Sequence, residues 1–352
     1  MSTFKPLKVA IVGTGIFARD SHLPSLKSQP ELFEVYSCFN RTKAKAEIFA
    51  EKAGIPSERI YNSLEEVFQD ENVDLVDALL PVQFNLEAVK LASKYNKNIC
   101  LEKPIAATLD QAKEILKIVE SNSNFKLTIL EHWCYFKSIE IIQKNLSKIG
   151  KIYSFTYSST GQFNFNNKYL ATSWRTKPEH VGGFLSDGGV HQLALLTGAL
   201  GEIKSVCAKT RQIRELSGAD DLAYTLMETD NGAIGTFTYG SSFGFTDKKN
   251  FIQILGDNGS IYYDFSPKSS DTIIVKTGGL NANDELITNE IKIEDEYRST
   301  FREFQVIGNS IKNNNFDGIL STPKVTFHHL AIVDAIVKSS ENNGQPTDVF
   351  KI

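Results

Sequence analysis

The run VAIVGTGIFARD, residues 9–20, constrains the fold more than any other stretch of this chain. Its first half is a short apolar run that leads straight into Gly13 and Gly15. A strand that ends in a glycine turn and enters a helix is typical of the first βαβ unit of a parallel sheet, where a small residue such as Ala18 lets the helix pack closely on the sheet. The chain is therefore expected to begin with a parallel α/β domain.

From Leu7 to about Trp133, short β-branched runs alternate with segments of helical length. The runs are KVAIV, FEVYSCFN, DLVDALLP, NICLEKP and KLTILEHW. Parallel neighbouring strands need crossover connections, so this order predicts a doubly wound Rossmann sheet over residues 1–133. Ligands of such sheets bind at the carboxyl ends of the strands, so the residues at those ends are the candidates for a site.

The pattern changes after Lys151 to long strands joined by short turns. KIYSFTYSSTGQF predicts one strand, and two hairpins are predicted around Asn231-Gly232 and Asn258-Gly259. Helices are predicted at residues 296–313 and 326–340. Residues 134–352 are thus expected to form an α+β domain with a large, open, mainly antiparallel sheet, and its last helices are candidates to pack back on the first domain. Because an uncovered sheet face is a common place for subunits to meet, we expect a homo-oligomer, a dimer or tetramer, formed through this sheet.

Composition excludes several classes of partner. Lys and Arg number 38 and Asp and Glu 42, which gives 38 − 42 = −4, so no broad basic field is available for nucleic acid. No apolar run approaches the ~20 residues of a membrane helix, and the polar amino terminus lacks a secretory pattern. The cysteines are far apart and show neither zinc spacing nor a disulfide framework: Cys38, Cys100, Cys134 and Cys207. We expect a cytoplasmic protein without a metal whose partner is a small molecule.

The glycine turn is the expected site of a dinucleotide. Gly13 permits the tight turn, Gly15 lets the backbone approach a pyrophosphate, and the exposed amides at the helix start bind the anion. A purely structural glycine turn is the alternative, but the position on the first strand of a βαβ series favours the dinucleotide. The loop residues predicted to bind it are Gly13, Thr14, Gly15, Ile16 and Phe17.

The end of the second strand-like run decides between NAD and NADP. An acid there binds the ribose 2′-hydroxyl in NAD enzymes, but this chain has Asn40, Arg41 and Thr42, and the nearest acid, Glu34, lies at the other end of the strand. Arg41 offers a planar fork for a 2′-phosphate or a surface for adenine, and its neighbours offer short polar contacts. The alternative is that Asn40 caps a helix and Arg41 is merely solvated. We therefore predict NADP, with NAD less favoured.

A second set of candidates follows the run NICLEKP. Pro104 ends that strand because it cannot donate a ladder hydrogen bond, and Lys103 then projects at the carboxyl edge of the sheet. A lysine beside a nicotinamide can hold a hydroxyl or carbonyl oxygen and stabilise an alkoxide, although a lone lysine is usually a solvated charge. Residues predicted to line the nicotinamide side are Pro81, Asn85, Glu102, Lys103 and Pro104.

Three motifs, GTGIFA, EKP and WRTKPEHVGGFLSDGGVHQL, occur in the order and at the spacing of the Gfo/Idh/MocA oxidoreductases, which this chain resembles over nearly its whole length. The resemblance implies a Rossmann domain, a C-terminal α/β domain with an open sheet, and nicotinamide-dependent oxidoreduction of sugars, polyols or related alcohols. It matches Lys103 to the EKP lysine, and Asp187 and His191 to the aspartate and histidine of a G-G-x-x-x-D-x-G-x-H element. Trp174 and Arg175 match its W-R element and are expected near the cofactor.

Asp187 and His191 are expected on one face of one helix because they are four residues apart. There the carboxylate can support an imidazolium, and His191 can exchange the substrate's proton near neutral pH while Lys103 holds the oxygen. The expected chemistry is direct hydride transfer between a carbinol carbon and C4 of the nicotinamide. The alternative makes Asp187 a helix cap and His191 a packed residue.

The chain departs from the family pattern in two places. Many members carry a histidine where this chain has Asn85, and Asn-x-Arg-like residues where it has residues 131–135. These changes are expected to reshape substrate selection. Within the second stretch, His132 is a candidate substrate contact and Tyr135 an alternative proton donor, although aromatic residues there are more often core.

A rival function is that of an NADP-sensing regulatory or interaction protein without turnover. A pure sensor would have no chemical reason to keep Lys103, Asp187 and His191 together, so the sequence favours an enzyme. Within enzymology, a dihydrodiol or xylose dehydrogenase-like activity and an aldehyde or ketone reductase both remain open.

Overall fold

The computed structural model describes residues 5–169, 173–279, 284–294 and 296–352. The chain divides into two compact units, one formed by Met1–Tyr135 with Arg298–Phe327 and the other by Phe136–Tyr297 with His328–Ile352. Among the described residues, no helix is both long enough and apolar enough to cross a membrane.

The first unit is built on a five-stranded sheet whose neighbouring strands are all parallel, in the order β2-β1-β3-β4-β5. The strands are β1 Leu7–Val12, β2 Phe33–Phe39, β3 Leu75–Ala78, β4 Asn98–Glu102 and β5 Leu127–Leu130. Every residue of β3 and β5 is buried, as expected for parallel strands that helices cover on both faces. This sheet confirms the predicted Rossmann domain.

Helices connect these strands, and some of them have clear start or stop signals. They are α1 Leu23–Lys27, α2 Lys43–Ala53, α3 Leu64–Gln69, α4 Asn85–Tyr95 and α5 Leu109–Ser121. The hydroxyls of Ser63 and Thr108 accept the backbone N–H groups of Glu66 and Gln111, which caps α3 and α5. Gly54 ends α2 with a φ of +77°, a conformation that suits glycine.

The second unit contains a nine-stranded sheet in the order β13-β12-β11-β10-β6-β9-β8-β7-β14. Only the central pair, β6 and β9, is parallel among its described pairings. The strands are β6 Ile152–Gln162, β7 Ile203–Arg211, β8 Leu222–Thr229, β9 Ile234–Phe243, β10 Lys249–Gly256, β11 Gly259–Asp264, β12 Thr272–Thr277, β13 Ile287–Lys292 and β14 Thr347–Asp348. The predicted large, mainly antiparallel sheet is confirmed.

One predicted hairpin is displaced by a residue. The turn between β8 and β9 contains Asn231-Gly232 as expected, but the turn between β10 and β11 is Asp257-Asn258, because Gly256 and Gly259 pair across the strands. Gly259 lies against β12, where a Cβ atom would stand 2.0 Å from a backbone oxygen. This close approach explains why a glycine begins β11.

The remaining helices lie later in the chain. They are α6 Lys137–Leu146, α7 Ser173–Thr176, α8 Phe184–Asp187, α9 Gly189–Leu200, α10 Ser299–Asn313 and α11 Pro323–Glu341. The helix predicted from Glu296 begins as a 3-10 turn before α10, and α11 starts three residues before the predicted Thr326. Proline suits a first helical position because its missing N–H has no intrahelical partner there, which explains the start at Pro323.

One face of the second sheet exposes apolar side chains. Along β8, Ala223, Thr225 and Met227 are buried, whereas Tyr224 and Leu226 are exposed. The strand register places Ile234 of β9 on the same face, opposite Glu228, and carries that face across β6 to Leu255 of β10. The alternation expected of a half-covered antiparallel sheet is present.

Candidate active site

The glycine turn after β1 has the geometry that a dinucleotide needs. Gly13 has a φ of +88°, and a Cβ atom there would meet the backbone oxygen of Leu79 at 2.2 Å, so only glycine fits. An ideal Cβ at Gly15 meets nothing within 4 Å, which leaves room for a ligand beside the backbone. The residues present therefore fit the pyrophosphate of a dinucleotide.

The helical stretch after this turn begins where the sequence predicts anion-binding amides. It runs from Ile16 to Lys27, and its centre, Ala18–His22, is π-helical. Ala18 is completely buried, as expected for a small residue at the helix–sheet contact. Single π-helical turns are frequent at functional sites.

Residues after β2 differ in how they are held. The side-chain oxygen of Asn40 accepts the backbone N–H of Thr42, 2.9 Å away, at the start of α2, which fits a structural use of Asn40. Arg41 is exposed, and the first turn of α2 contains no acid. Two lysines that the sequence reasoning did not single out, Lys43 and Lys45, are also exposed there. The adenosine end of the predicted cofactor site is thus positively charged.

The EKP turn begins at Glu102, the last residue of β4. Lys103 is half-buried, and its peptide bond to Pro104 is cis. The buried Asn85 amide donates hydrogen bonds to the backbone oxygens of Glu102, Pro104 and Ile105 at 3.1 to 3.3 Å. Asn85 therefore stabilises the turn that carries Lys103. The predicted contacts of Asn85 and of the half-buried Pro81 with the nicotinamide stay predictions.

A buried ionic cluster lies behind this turn and was missed by the sequence reasoning. His22 is 1% exposed, and its two ring nitrogens each lie 2.9 Å from a carboxylate oxygen, of Asp77 and of Glu102. Burial lowers the pKa of His22, but both carboxylates raise it, to about 10 overall. The sequence signal for this cluster was Asp77, an acid inside the apolar run DLVDALLP, because a buried carboxylate needs a partner.

Two further acids belong to the same region of the first unit. Glu303 on α10 and Glu131 after β5 are buried. Burial and the nearby carboxylates of Glu102 and Glu131 raise the pKa of Glu303 well above its usual value. Glu303 therefore stays protonated in conditions where an exposed glutamate is ionised.

Tyr135 packs into this region rather than facing solvent. Its hydroxyl lies 3.3 Å from the Ser321 hydroxyl and accepts the backbone N–H of Leu320. Burial, followed by the nearby Glu303, raises the pKa of Tyr135. These contacts favour the core alternative over a proton donor. His132 is half-buried in the 3-10 turn His132–Tyr135, and its substrate contact stays a prediction.

In the second unit, Asp187 forms an ion pair with Arg175. The Nε–Oδ2 distance is 2.7 Å and the Nη2–Oδ1 distance is 3.4 Å, so the guanidinium binds both carboxylate oxygens. Such fork-like pairs fix orientation as well as charge. The sequence reasoning assigned Asp187 to the support of His191 and did not foresee this pair. Trp174, its predicted companion, has a side chain outside the described residues.

Asp187 and His191 do not share one regular helix, so that expectation was wrong. Asp187 ends α8, and His191 is the third residue of α9, with Gly188 between the two helices. A Cβ atom at Gly188 would stand 2.0 Å from the hydroxyl of the buried Tyr239. The close approach of this tyrosine explains the glycine at the junction, and the acid–base role of His191 stays a prediction.

The turn before α8 holds Asp187 in place. Gly182 and Gly183 have φ values of +71° and +46°, and a Cβ at Gly183 would lie 2.6 Å from Ala219. The buried Ser186 hydroxyl donates to the Gly183 oxygen and lies 2.7 Å from His180 Nδ1. These contacts account for the paired glycines of the motif.

Comparison with known proteins agrees with this architecture. Residues 7–129 match the model described as an oxidoreductase family, NAD-binding Rossmann fold, and residues 143–349 match the C-terminal alpha/beta domain of the same family. The uncharacterized protein YMR315W of Saccharomyces cerevisiae is 50% identical over 341 residues, 96% of this chain and 97% of that protein. The crystal structure of an oxidoreductase from Thermotoga maritima has a TM-score of 0.86 at 30% identity and covers 98% of both chains.

A D-apiose dehydrogenase from Rhizobium rhizogenes is 25% identical over 262 residues, which is 72% of each chain. The two family models together span both units, with the glycine turn and EKP in the first match and the G-G-x-x-x-D-x-G-x-H element in the second. The chain belongs to the Gfo/Idh/MocA oxidoreductase family.

Proposed function

We propose that this protein is an NADP(H)-dependent oxidoreductase that acts on the CH–OH or C=O carbon of a sugar, polyol, cyclic diol or small carbonyl compound. The observation that carries the proposal is the position of Lys103 at the carboxyl end of β4, in the same parallel sheet as the glycine turn that follows β1. Because parallel strands end at one edge of a sheet, the turn and the lysine serve one bound ligand.

The proposed mechanism gives each side chain a task at a stated atom. When bound, the nicotinamide supplies the carbon that accepts or returns a hydride. Lys103 Nζ donates a hydrogen bond to the substrate oxygen and stabilises its developing negative charge. His191 takes the hydroxyl proton during oxidation and returns it during reduction. Arg175 holds the Asp187 carboxylate in a fixed orientation through their ion pair, and we propose that this carboxylate favours a positively charged imidazole at His191.

The NADP preference is supported by the charge after β2. The exposed Arg41, Lys43 and Lys45 surround the start of α2, and Glu34 lies at the far end of β2, where it pairs with Arg59 at 3.6 Å. A 2′-phosphate gains from such a surface, whereas a 2′-hydroxyl does not. A fluorescence titration with NADPH and NADH measures the preference directly.

The substrate class is supported by the family and by the sugar dehydrogenase among the relatives. A screen of aldoses, polyols, cyclic diols and small carbonyl compounds with both nucleotides would identify the substrate. Turnover should vanish in Lys103→Ala and persist in Lys117→Ala, which removes an exposed lysine from α5. If the protein binds nucleotide but converts no compound of these substrate classes, the proposed enzymatic function is refuted and a nucleotide sensor is favoured.

We also propose that two or four copies associate through the open face of the second sheet, in the cytoplasm. The exposed fractions of Tyr224, Leu226 and Ile234 are 54%, 52% and 57%, which is unusual for neighbouring apolar side chains. The four free cysteines fit a reducing compartment. Leu226→Glu should lower the mass measured by light scattering, and Ile48→Glu, an exposed apolar control on α2, should leave it unchanged. A monomeric wild type would contradict the proposal.

A further inference from the structure

His22 makes two hydrogen bonds that a neutral imidazole cannot make to two carboxylates. Nδ1 lies 2.9 Å from Asp77 Oδ2, and Nε2 lies 2.9 Å from Glu102 Oε1. A neutral ring donates from one nitrogen only, and an ionised carboxylate only accepts. With both acids ionised, the geometry therefore requires an imidazolium that donates to each of them.

The ring of His22 is also fixed by its apolar neighbours. Phe17 and Phe304 contact it edge-on, with ring centroids 5.0 and 5.1 Å away. Phe17 belongs to the helical stretch that follows the glycine turn, and Phe304 belongs to α10. The imidazole is thus a rigid link between the glycine-turn helix and the ends of β3 and β4.

We propose that His22 is a positioning residue, which holds the Glu102 carboxylate and thereby sets the direction in which Lys103 leaves the sheet. Glu102 is the last residue of β4 and Lys103 follows it directly, so a fixed Glu102 constrains the backbone from which Lys103 leaves the strand. Asn85 holds the backbone oxygens of the same turn. The proposal rests on the proposed function, because Lys103 is there the residue that binds the substrate oxygen.

The charges around His22 give this role a dependence on pH. Asp77 in β3 and Glu102 in β4 bind the ring, and Glu303 on α10 and Glu131 after β5 add to the acidic surroundings. Removing the imidazolium would leave the buried Asp77 and the partly buried Glu102 without their cation. Like charges that lie close together oppose one another's ionisation, so the acids around position 22 should retain a proton more readily in a variant that lacks the imidazolium.

The test is the pH profile of His22→Gln between pH 5.5 and 9. We expect turnover at pH 6 to fall at least 10-fold relative to the wild type and to recover as pH rises, while the dissociation constant for NADPH changes less than threefold. His328→Gln is the matched control, since His328 is buried and accepts the backbone N–H of Ile203 in the second unit. His328→Gln should lower the free energy of unfolding, but its turnover should show no additional loss at low pH relative to the wild type. Parallel profiles of His22→Gln and wild type would overturn the positioning role.

A second measurement needs no variant to fold. In the ¹⁵N spectrum of the labelled wild type, both ring nitrogens of His22 should keep imidazolium shifts from pH 6 to 9, and a neutral ring at pH 7 would overturn the proposal. This readout is independent of turnover. A wild type that converts no substrate defeats the proposed function, whereas an active wild type with a neutral His22 defeats this inference alone.

Discussion

Replacing Glu303 by glutamine should stabilise the protein at neutral pH. Burial and the neighbouring carboxylates raise the pKa of Glu303, so the folded state keeps a proton that the unfolded chain releases above the ordinary value of 4.5. The free energy of unfolding of the wild type then falls by about 1.4 kcal/mol for each pH unit between that value and the folded pKa. Glutamine copies the protonated acid and has nothing to release. The advantage of Glu303→Gln should therefore grow by that amount per pH unit above 5.

Urea unfolding of both proteins at half-unit steps from pH 5 to 8 measures this difference. The titration of His22, which also lowers stability as pH rises from about 6.5 towards 10, is present in both proteins and largely cancels. Glu51→Gln is the control, because Glu51 is an exposed acid on α2 and its replacement should give curves parallel to the wild type. Parallel curves for Glu303→Gln as well would show that Glu303 is ionised when folded and would refute the reasoning.

Three further predictions concern the proposed site. His191→Ala should lower turnover by roughly 10²- to 10⁴-fold if His191 exchanges the substrate proton, and steady-state rates that fall less than threefold would remove it from that role. Arg41→Ala should weaken NADPH binding by about 1.5–3 kcal/mol in fluorescence titrations and affect NADH much less, because a charge-assisted contact is lost; equal losses would mean stacking on adenine. Gly15→Ala should block nucleotide binding without lowering the melting temperature, since its Cβ position is open, whereas Gly13→Ala should lower it, because its Cβ would meet a backbone oxygen at 2.2 Å. Equal melting temperatures would contradict the turn geometry.

The predictable parts of the fold are those that local patterns encode. Apolar runs separated by helical segments specified a parallel sheet, and the glycine pattern specified the turn after β1. The dipeptide Asn231-Gly232 also predicted a hairpin, because the turn requires a positive φ and Gly232 has a φ of +81°. At Asn258-Gly259 the hairpin turn lies one position earlier than predicted. Gly259 pairs with Gly256 and with Thr277 of β12, so it belongs to the strand and not to the turn.

Less of the candidate site could be predicted. Asn85 was placed at the right strand end, but its bonds to the EKP turn depend on residues 17 to 20 positions later. Arg175 was named from its motif, yet its ion pair with Asp187 spans twelve residues and an irregular loop. Spacing arguments work within one helix or strand and fail across a turn of unknown shape, which is why the single helix expected for Asp187 and His191 was wrong.

The sequence by itself determined the alternation of strands and helices in the first unit, the glycine turn and the identity of the motif residues, because each is encoded by neighbours within a few positions. Only the tertiary structure decided which charges meet. His22 joins Asp77 and Glu102 from 55 and 80 positions away, and Glu303 reaches the same region of the first unit from the far end of the chain. Burial strengthens these interactions, because the protonation state of a carboxyl or imidazole group away from water is set by the few groups that surround it.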